Sequence, residues 1–223
     1  PTRERAGWLC DSFFTGRAER ILTEDNLVEK DFLENFLHED EYDFATADRE
    51  RGMVPMCYPA DQLTGEYIPN WGLWFILELL DYSRRSSDTA FVEQFQEKVM
   101  GILSFHFRLE NEEHLLCHIP GGVFVEWSHA NDMRQDINFP SNMLYSAALR
   151  AAAVLYHKPE LEQRADAVAD SVRKYSYIDG FFCDRAIITE SGIETIHESS
   201  EACQYYAFLC DIVNPTEYGA LFD

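Results

Sequence analysis

Two short stretches of this chain concentrate residues that can do chemistry. Arg3-Glu4-Arg5-Ala6-Gly7-Trp8-Leu9-Cys10-Asp11 sets two carboxylates seven residues apart, with Arg5, Gly7 and Trp8 between them. Acids beside a flat indole suit a sugar. The aromatic face stacks on the C–H face of a pyranose, and a carboxylate accepts hydroxyl hydrogen bonds or moves a proton. An N-terminal loop with two surface ion pairs would carry the same letters. The second stretch, Gly121 to Asp132, joins Glu126 to Trp127. Val123-Phe124-Val125 reads as a short strand. Alternation then sends Val123, Val125 and Trp127 to one face and Phe124 and Glu126 to the other. Trp71 follows Ile68-Pro69-Asn70 at the mouth of an apolar helix and is expected to face a site, whereas Trp74, one turn on, is expected in the core. Glu201, with Gln204 nearby, opens another apolar segment, where an acid also suits the helix dipole.

Other chemistries find no residues to carry them. No HxxxH or HExxH places two of the seven histidines on one helix face: His114 and His118 are four apart, but the Leu-Leu-Cys between them reads as strand. No metal and no cofactor are therefore expected. Walker, Rossmann and GxSxG patterns are missing. Eighteen Lys and Arg against 40 Asp and Glu give a net charge of −22, which phosphate backbones and anionic membrane surfaces repel. Neither nucleic acid nor a membrane is an expected partner. None of the six cysteines forms a CxxC pair, so free thiols are expected. At 46% apolar residues over 223 positions, the chain has the material for one large core.

The elements that must position these residues alternate in kind. Asn70 to Ser86 is apolar nearly all round, the mark of a helix buried on every face. A segment opening at Asp88 follows, with Val92, Phe95, Val99, Ile102 and Leu103 on one stripe and charges outside. The pair recurs as Asn142 to His157, then an amphipathic segment from Pro159. A third buried type runs from Glu201 to Val213, with Thr216 placed to cap an outer helix. Leu9 to Leu22 and Leu27 to Leu37 make an earlier pair. Four helical hairpins, inner then outer, predict an all-α fold: part of an (α/α)6 toroid. Residues 1–223 then form one incomplete domain, an excerpt of a longer chain. The links from outer to inner helices are long (about Glu39–Pro69, Arg108–Pro140 and Ser176–Ser200), and all fall where inner helices begin. The site is expected at that end. The last link predicts a β-hairpin around Ser191-Gly192, with strands over Phe181 to Ile188 and Ile193 to His197.

The stretch Pro1 to Asp11 resembles the motif of the bacterial α-L-rhamnosidases, glycoside hydrolase family 78, roughly C-P-x-R-x-E/D-R-x-G-W-x-G-D. Pro-Asn-Trp at 69–71 and Glu-Trp at 126–127 extend the likeness. Cys10 stands where that family has a small residue. The resemblance implies a six-hairpin catalytic domain and inverting hydrolysis of terminal α-L-rhamnosides on plant or bacterial glycans. It makes Glu4 the general acid and Asp11 a sugar-binding acid, with Arg5, Trp8, Trp71 and Trp127 shaping the pocket. Glu126 and Glu201 join as substrate-binding candidates from their positions at inner-helix mouths. The family's general base belongs to a part of the barrel beyond this chain, so the excerpt alone is expected to be inactive. Secretion or a periplasmic site suits a glycan-degrading enzyme, though no residue assigns it, and none assigns an oligomeric state. Three other readings stand beside this one. They are a six-hairpin hydrolase for another sugar, a sugar epimerase using His129 and His197, and a carbohydrate-binding scaffold without catalysis.

Overall fold

A computed structural model describes residues 6–38, 52–60, 66–127, 130 and 136–222. Four helices form its inner layer: α1 (Leu9–Thr23), α3 (Trp71–Ser86), α6 (Phe139–Tyr156) and α8 (Glu201–Leu209). In this layer α1 packs on α3, α3 on α6, and α6 on α8. Behind them lie α2 (Leu27–Asn35), α4 (Thr89–Glu93), α5 (Gln96–Phe107) and α7 (Pro159–Ser176). Each follows an inner helix, so the inner-then-outer alternation read from hydropathy is the packing order. Along α3, Leu73, Trp74, Phe75, Ile76 and Leu79 are all buried. Along α7 the buried residues include Leu161, Ala165, Val168, Ala169 and Val172, with Glu162 and Asp170 exposed.

Local chemistry sets the helix ends. The side chains of Asp88, Asn138 and Ser200 accept the backbone N–H of Phe91, Ser141 and Cys203, at 3.2, 2.9 and 3.1 Å. Each satisfies an amide that the first helical turn leaves without a partner. Pro159 opens α7, where its missing N–H costs nothing.

Several expectations need correction. The outer segment from Asp88 is two helices, not one. It breaks at Gln94–Phe95 while Phe95 stays wholly buried, so the apolar stripe continues across the break. Helix α6 begins three residues earlier than read, because Asn138 caps it. Helix α8 ends at Leu209, where Ile212 N–H turns back to Ala207 O at 2.9 Å. Only a short α9 (Gly219–Phe222) follows. Nor is α8 buried all round: Tyr205 and Leu209 are exposed. Leu115–Cys117 makes one isolated bridge, Glu110 to Leu116, rather than a strand.

The links carry small antiparallel ladders. β1 (Ala6–Trp8) pairs with β2 (Cys57–Ala60), setting Trp8 opposite Cys57. β3 (Ile137–Asn138) pairs with β6 (Arg185–Thr189). The expected hairpin is present as β6 and β7 (Gly192–Ile196), with Thr189 opposite Gly192. Its forward strand is shorter than read: Phe181–Phe182 forms a separate β5 on β4 (Tyr177–Ile178). All six cysteines are free thiols.

His106 shows what the core demands of a titratable group. It is fully buried on α5, donates Nδ1–H to Ile102 O at 2.8 Å, and stacks on Tyr145. Burial pushes its pKa down from 6.5 to about 4. Between those values the unfolded chain takes up a proton that the folded chain refuses. Stability therefore falls as pH drops from about 6.5 toward 4, by about 3 kcal/mol from this group. Urea unfolding at pH 7 and pH 4.5 checks this. His106→Asn is expected to lose less stability than wild type across that interval.

Candidate active site

The inner helices open onto a cleft of about 790 Å³ at the starts of α1, α3 and α8. This is the end at which the long links were expected to build a site. Trp8 reaches the cleft from β1, and Asp11 from the first turn of α1. Trp71 comes from the start of α3, and Glu126 and Trp127 from the link before α6. Five candidates from three distant segments are thus assembled on one surface. Glu4 and Arg5 lie outside the described residues.

The aromatic rings are in contact along one wall. Trp8 meets Trp71 edge-on at 5.7 Å, Trp71 meets Phe124 at 5.7 Å, and Phe124 meets Trp127 at 4.9 Å. Such edge-to-face pairs each add about 1 kcal/mol beyond area burial and fix ring tilt. Trp127 stands at the rim, 92% exposed. Opposite, Trp74 meets Tyr206 at 5.9 Å and also touches Phe14. Trp74 is buried as expected, yet it also borders the cleft.

The Glu126 link is not a strand, which corrects the alternation argument. Phe124 does not spend its backbone groups on a neighbouring strand. Its carbonyl accepts Asn70 Nδ2 at 2.8 Å and Trp71 Nε1 at 3.2 Å, and its N–H donates to Asn70 Oδ1 at 3.3 Å. Freed from strand geometry, Glu126 and Trp127 line the same cleft rather than opposite faces.

Glu201 does not line the cleft; it is exposed at the first turn of α8. Ala202, Tyr205, Tyr206 and Leu209 line it instead. Their spacing of three, four and seven marks one helix face; Glu201, four before Tyr205, lies at the edge of that face but is exposed and does not line the cleft. Gln204 is engaged elsewhere, with Phe182 N–H and Phe182 O each at 2.8 Å. Met56 and Ile68 enter from the first long link, and Cys10 and Phe14 from α1. Cys10, Asp11 and Phe14 lie three and four apart, so helical spacing from Asp11 was the available signal for Phe14. Of the two histidines considered for proton transfer, His197 is exposed and away from the cleft, and His129 lies outside the described residues.

Asp11 and Glu126 are the carboxylates among the described lining residues, and no Lys, Arg or His joins them there. The Cys10 thiol is pushed up to about 12, chiefly by burial and then by Asp11 and Glu78, so it stays protonated and a poor nucleophile. Burial likewise raises Tyr206, whose hydroxyl donates to Val125 O at 3.3 Å.

Behind Trp8 and Asp11 is a smaller cavity of about 210 Å³, bordered by Glu78. Glu78 is wholly buried, and burial holds its carboxyl well above the usual range. Ser12 Oγ lies 2.8 Å from Leu9 O and 2.5 Å from Glu78 Oε2. A hydroxyl has one proton to give. A protonated Glu78 donating to Ser12, which donates on to Leu9 O, satisfies both contacts. This chain of bonds braces the turn that carries Asp11.

No family model matches the sequence, and no curated protein matches it. Solved structures do. The chain is similar to a GH78 family rhamnosidase of Bacillus sp. GL1, with a TM-score of 0.78 and 18% identity over 97% of this chain. It is similar to a rhamnosidase from Klebsiella oxytoca with rhamnose bound, with a TM-score of 0.73 and 15% identity over 98% of this chain. It spans 22% of the first protein and 41% of the second. At these identities the likeness establishes the fold: a helical-hairpin domain of the kind found in those glycosidases, with small β-hairpins in its links.

Proposed function

We propose that this chain is part of the catalytic domain of an inverting glycoside hydrolase that removes terminal α-L-rhamnose. The observation that carries the reading is the assembly of Trp8, Asp11, Trp71, Glu126 and Trp127 around one aromatic cleft. Aromatic walls and carboxylates suit a sugar, whose C–H faces stack and whose hydroxyls donate to acids. In this reading Glu4 is the general acid. Arg5 and Asp11 hold the sugar with the tryptophans, Glu126 contributes from the opposite link, and the general base comes from outside these residues. The four inner helices belong to a toroid closed by further hairpins. Inversion requires two carboxyl groups roughly 6.5–9.5 Å apart with a water on the far side of the ring.

The test is hydrolysis of a panel of nitrophenyl glycosides by the full-length protein. Cleavage of the α-L-rhamnoside with inversion at the anomeric carbon is expected. Cleavage of another sugar keeps the hydrolase and discards rhamnose. No cleavage of any glycoside overturns the catalytic reading.

A further inference from the structure

Asn70 stands at the N-cap of α3, yet its side chain makes no capping bond there. The side chains of Asp88, Asn138 and Ser200 all cap their helices from the same position. Helices α1, α2, α5 and α7 also lack a side-chain cap, so what marks Asn70 is where its carboxamide goes. The buried carboxamide instead reaches across to the 121–127 link and grips Phe124 on both sides, donating to its carbonyl and accepting from its N–H. Trp71 Nε1 adds a second donor to that carbonyl, and from α8 the Tyr206 hydroxyl donates to Val125 O. Two inner helices thus hold two consecutive backbone units. The next two residues are Glu126 and Trp127, which enter the cleft.

We propose that Asn70 is a positioning residue: its side chain gives up the helix cap to fix the backbone from which Glu126 and Trp127 reach the ligand. Asn70 does not line the cleft and acts only through the link. A carboxamide is the fitting group, because it presents a donor and an acceptor together and so pairs with one residue's N–H and C=O as a strand neighbour does. Gly121 and Gly122 precede the gripped residues with open space where a Cβ would lie; Val123 and Val125 are buried on either side of Phe124, whose own N–H and C=O the carboxamide pairs. Neither neighbour replaces the carboxamide: Trp71 reaches only the carbonyl of Phe124, and Tyr206 reaches only Val125.

The role of Asn70 in substrate binding rests on the glycosidase reading; its grip on the link does not, and the two are measured separately. Three variants of the full-length protein are needed. Asn70→Ala removes the grip. Asn70→Ser also removes it, because the shorter side chain cannot span Phe124, but supplies a capping hydroxyl that protects the helix. Asp88→Ala loses a helix cap together with the ion pair to Lys30, away from the cleft lining, and serves as the stability control. Amide hydrogen exchange reads the link. Both Asn70 variants are expected to exchange at Phe124 and Val125 at least about tenfold faster than wild type, with Asp88→Ala unchanged there. Nitrophenyl α-L-rhamnoside hydrolysis reads the consequence. Both Asn70 variants are expected to raise KM about tenfold with kcat within about threefold, since a loosened link weakens ground-state and transition-state binding alike. Unchanged exchange in a folded Asn70→Ser overturns the proposal. So does faster exchange with the KM of Asp88→Ala. If no form hydrolyses any glycoside, the glycosidase reading fails, and the exchange result alone upholds or overturns the grip.

Discussion

Glu4→Gln in the full-length protein is expected to lower kcat on a rhamnosyl disaccharide by about 10²- to 10⁴-fold, the usual contribution of a general acid. A sugar leaving group departs as a poor alkoxide unless it is protonated, and glutamine has no proton to transfer. A nitrophenolate leaves readily unaided, so the same variant is expected to lose far less on the nitrophenyl glycoside. That asymmetry is the mark of an acid. Asp11→Asn provides the contrast. Asp11 lines the cleft from the first turn of α1 and, in the proposed reading, holds the sugar. Its loss is expected to weaken both substrates by a similar factor, because contact with the sugar does not depend on what leaves. Glu4 precedes β1 by two residues, and β1 delivers Trp8 to the same cleft. An undiminished kcat on the disaccharide in Glu4→Gln would remove Glu4 from the mechanism.

The helices were legible because burial writes itself into periodicity. Apolar residues all round α3 and a single stripe on α7 forecast which lies inside. The break at Gln94–Phe95 was not legible, because Val92, Phe95 and Val99 keep the phase of one continuous helix. The link at 123–125 was misread for a related reason. Val-Phe-Val alternates in the same way whether its backbone meets a strand or the side chain of Asn70, and that partner is 54 residues away. In the cleft, the Trp–acid pairings at helix mouths found Trp8, Asp11, Trp71, Glu126 and Trp127. Glu201 opens α8 four residues before Tyr205, so neither position nor phase told it from the lining residues; it is exposed in the first turn while Ala202, Tyr205 and Leu209 line the cleft. Met56 and Ile68 carry no periodic signal at all, since they sit in the link from Glu39 to Pro69.

That link supplies the largest expected effect on stability. Gly52→Ala is expected to cost about 3 kcal/mol, a fall in Tm of roughly 6–12 °C for a domain of this size. Two penalties add at Gly52. Its φ of 97° lies where side chains are strained, and a Cβ would sit 2.2 Å from the carbonyl oxygen of Gly101 on α5. Both sides of that contact are backbone, so no rotamer change relieves it. Gly121→Ala separates the penalties, because its φ is 75° but nothing lies within 4 Å of the added carbon. Strain alone is expected to cost about 1–2 kcal/mol there. Equal losses in the two variants would show that the contact with Gly101 is unimportant. The contact also bears on the cleft. From Gly52 the chain runs through buried Met53 and Val54 to Met56, whose carbonyl accepts Leu9 N–H at 3.1 Å. β2 follows at once and pairs with β1, the strand that carries Trp8. Pushing Gly52 off α5 therefore shifts the support beneath Trp8. Gly52→Ala is expected to weaken ligand binding at temperatures where the variant is still folded, and comparison with wild type at equal fraction folded tests whether that loss exceeds the one due to unfolding.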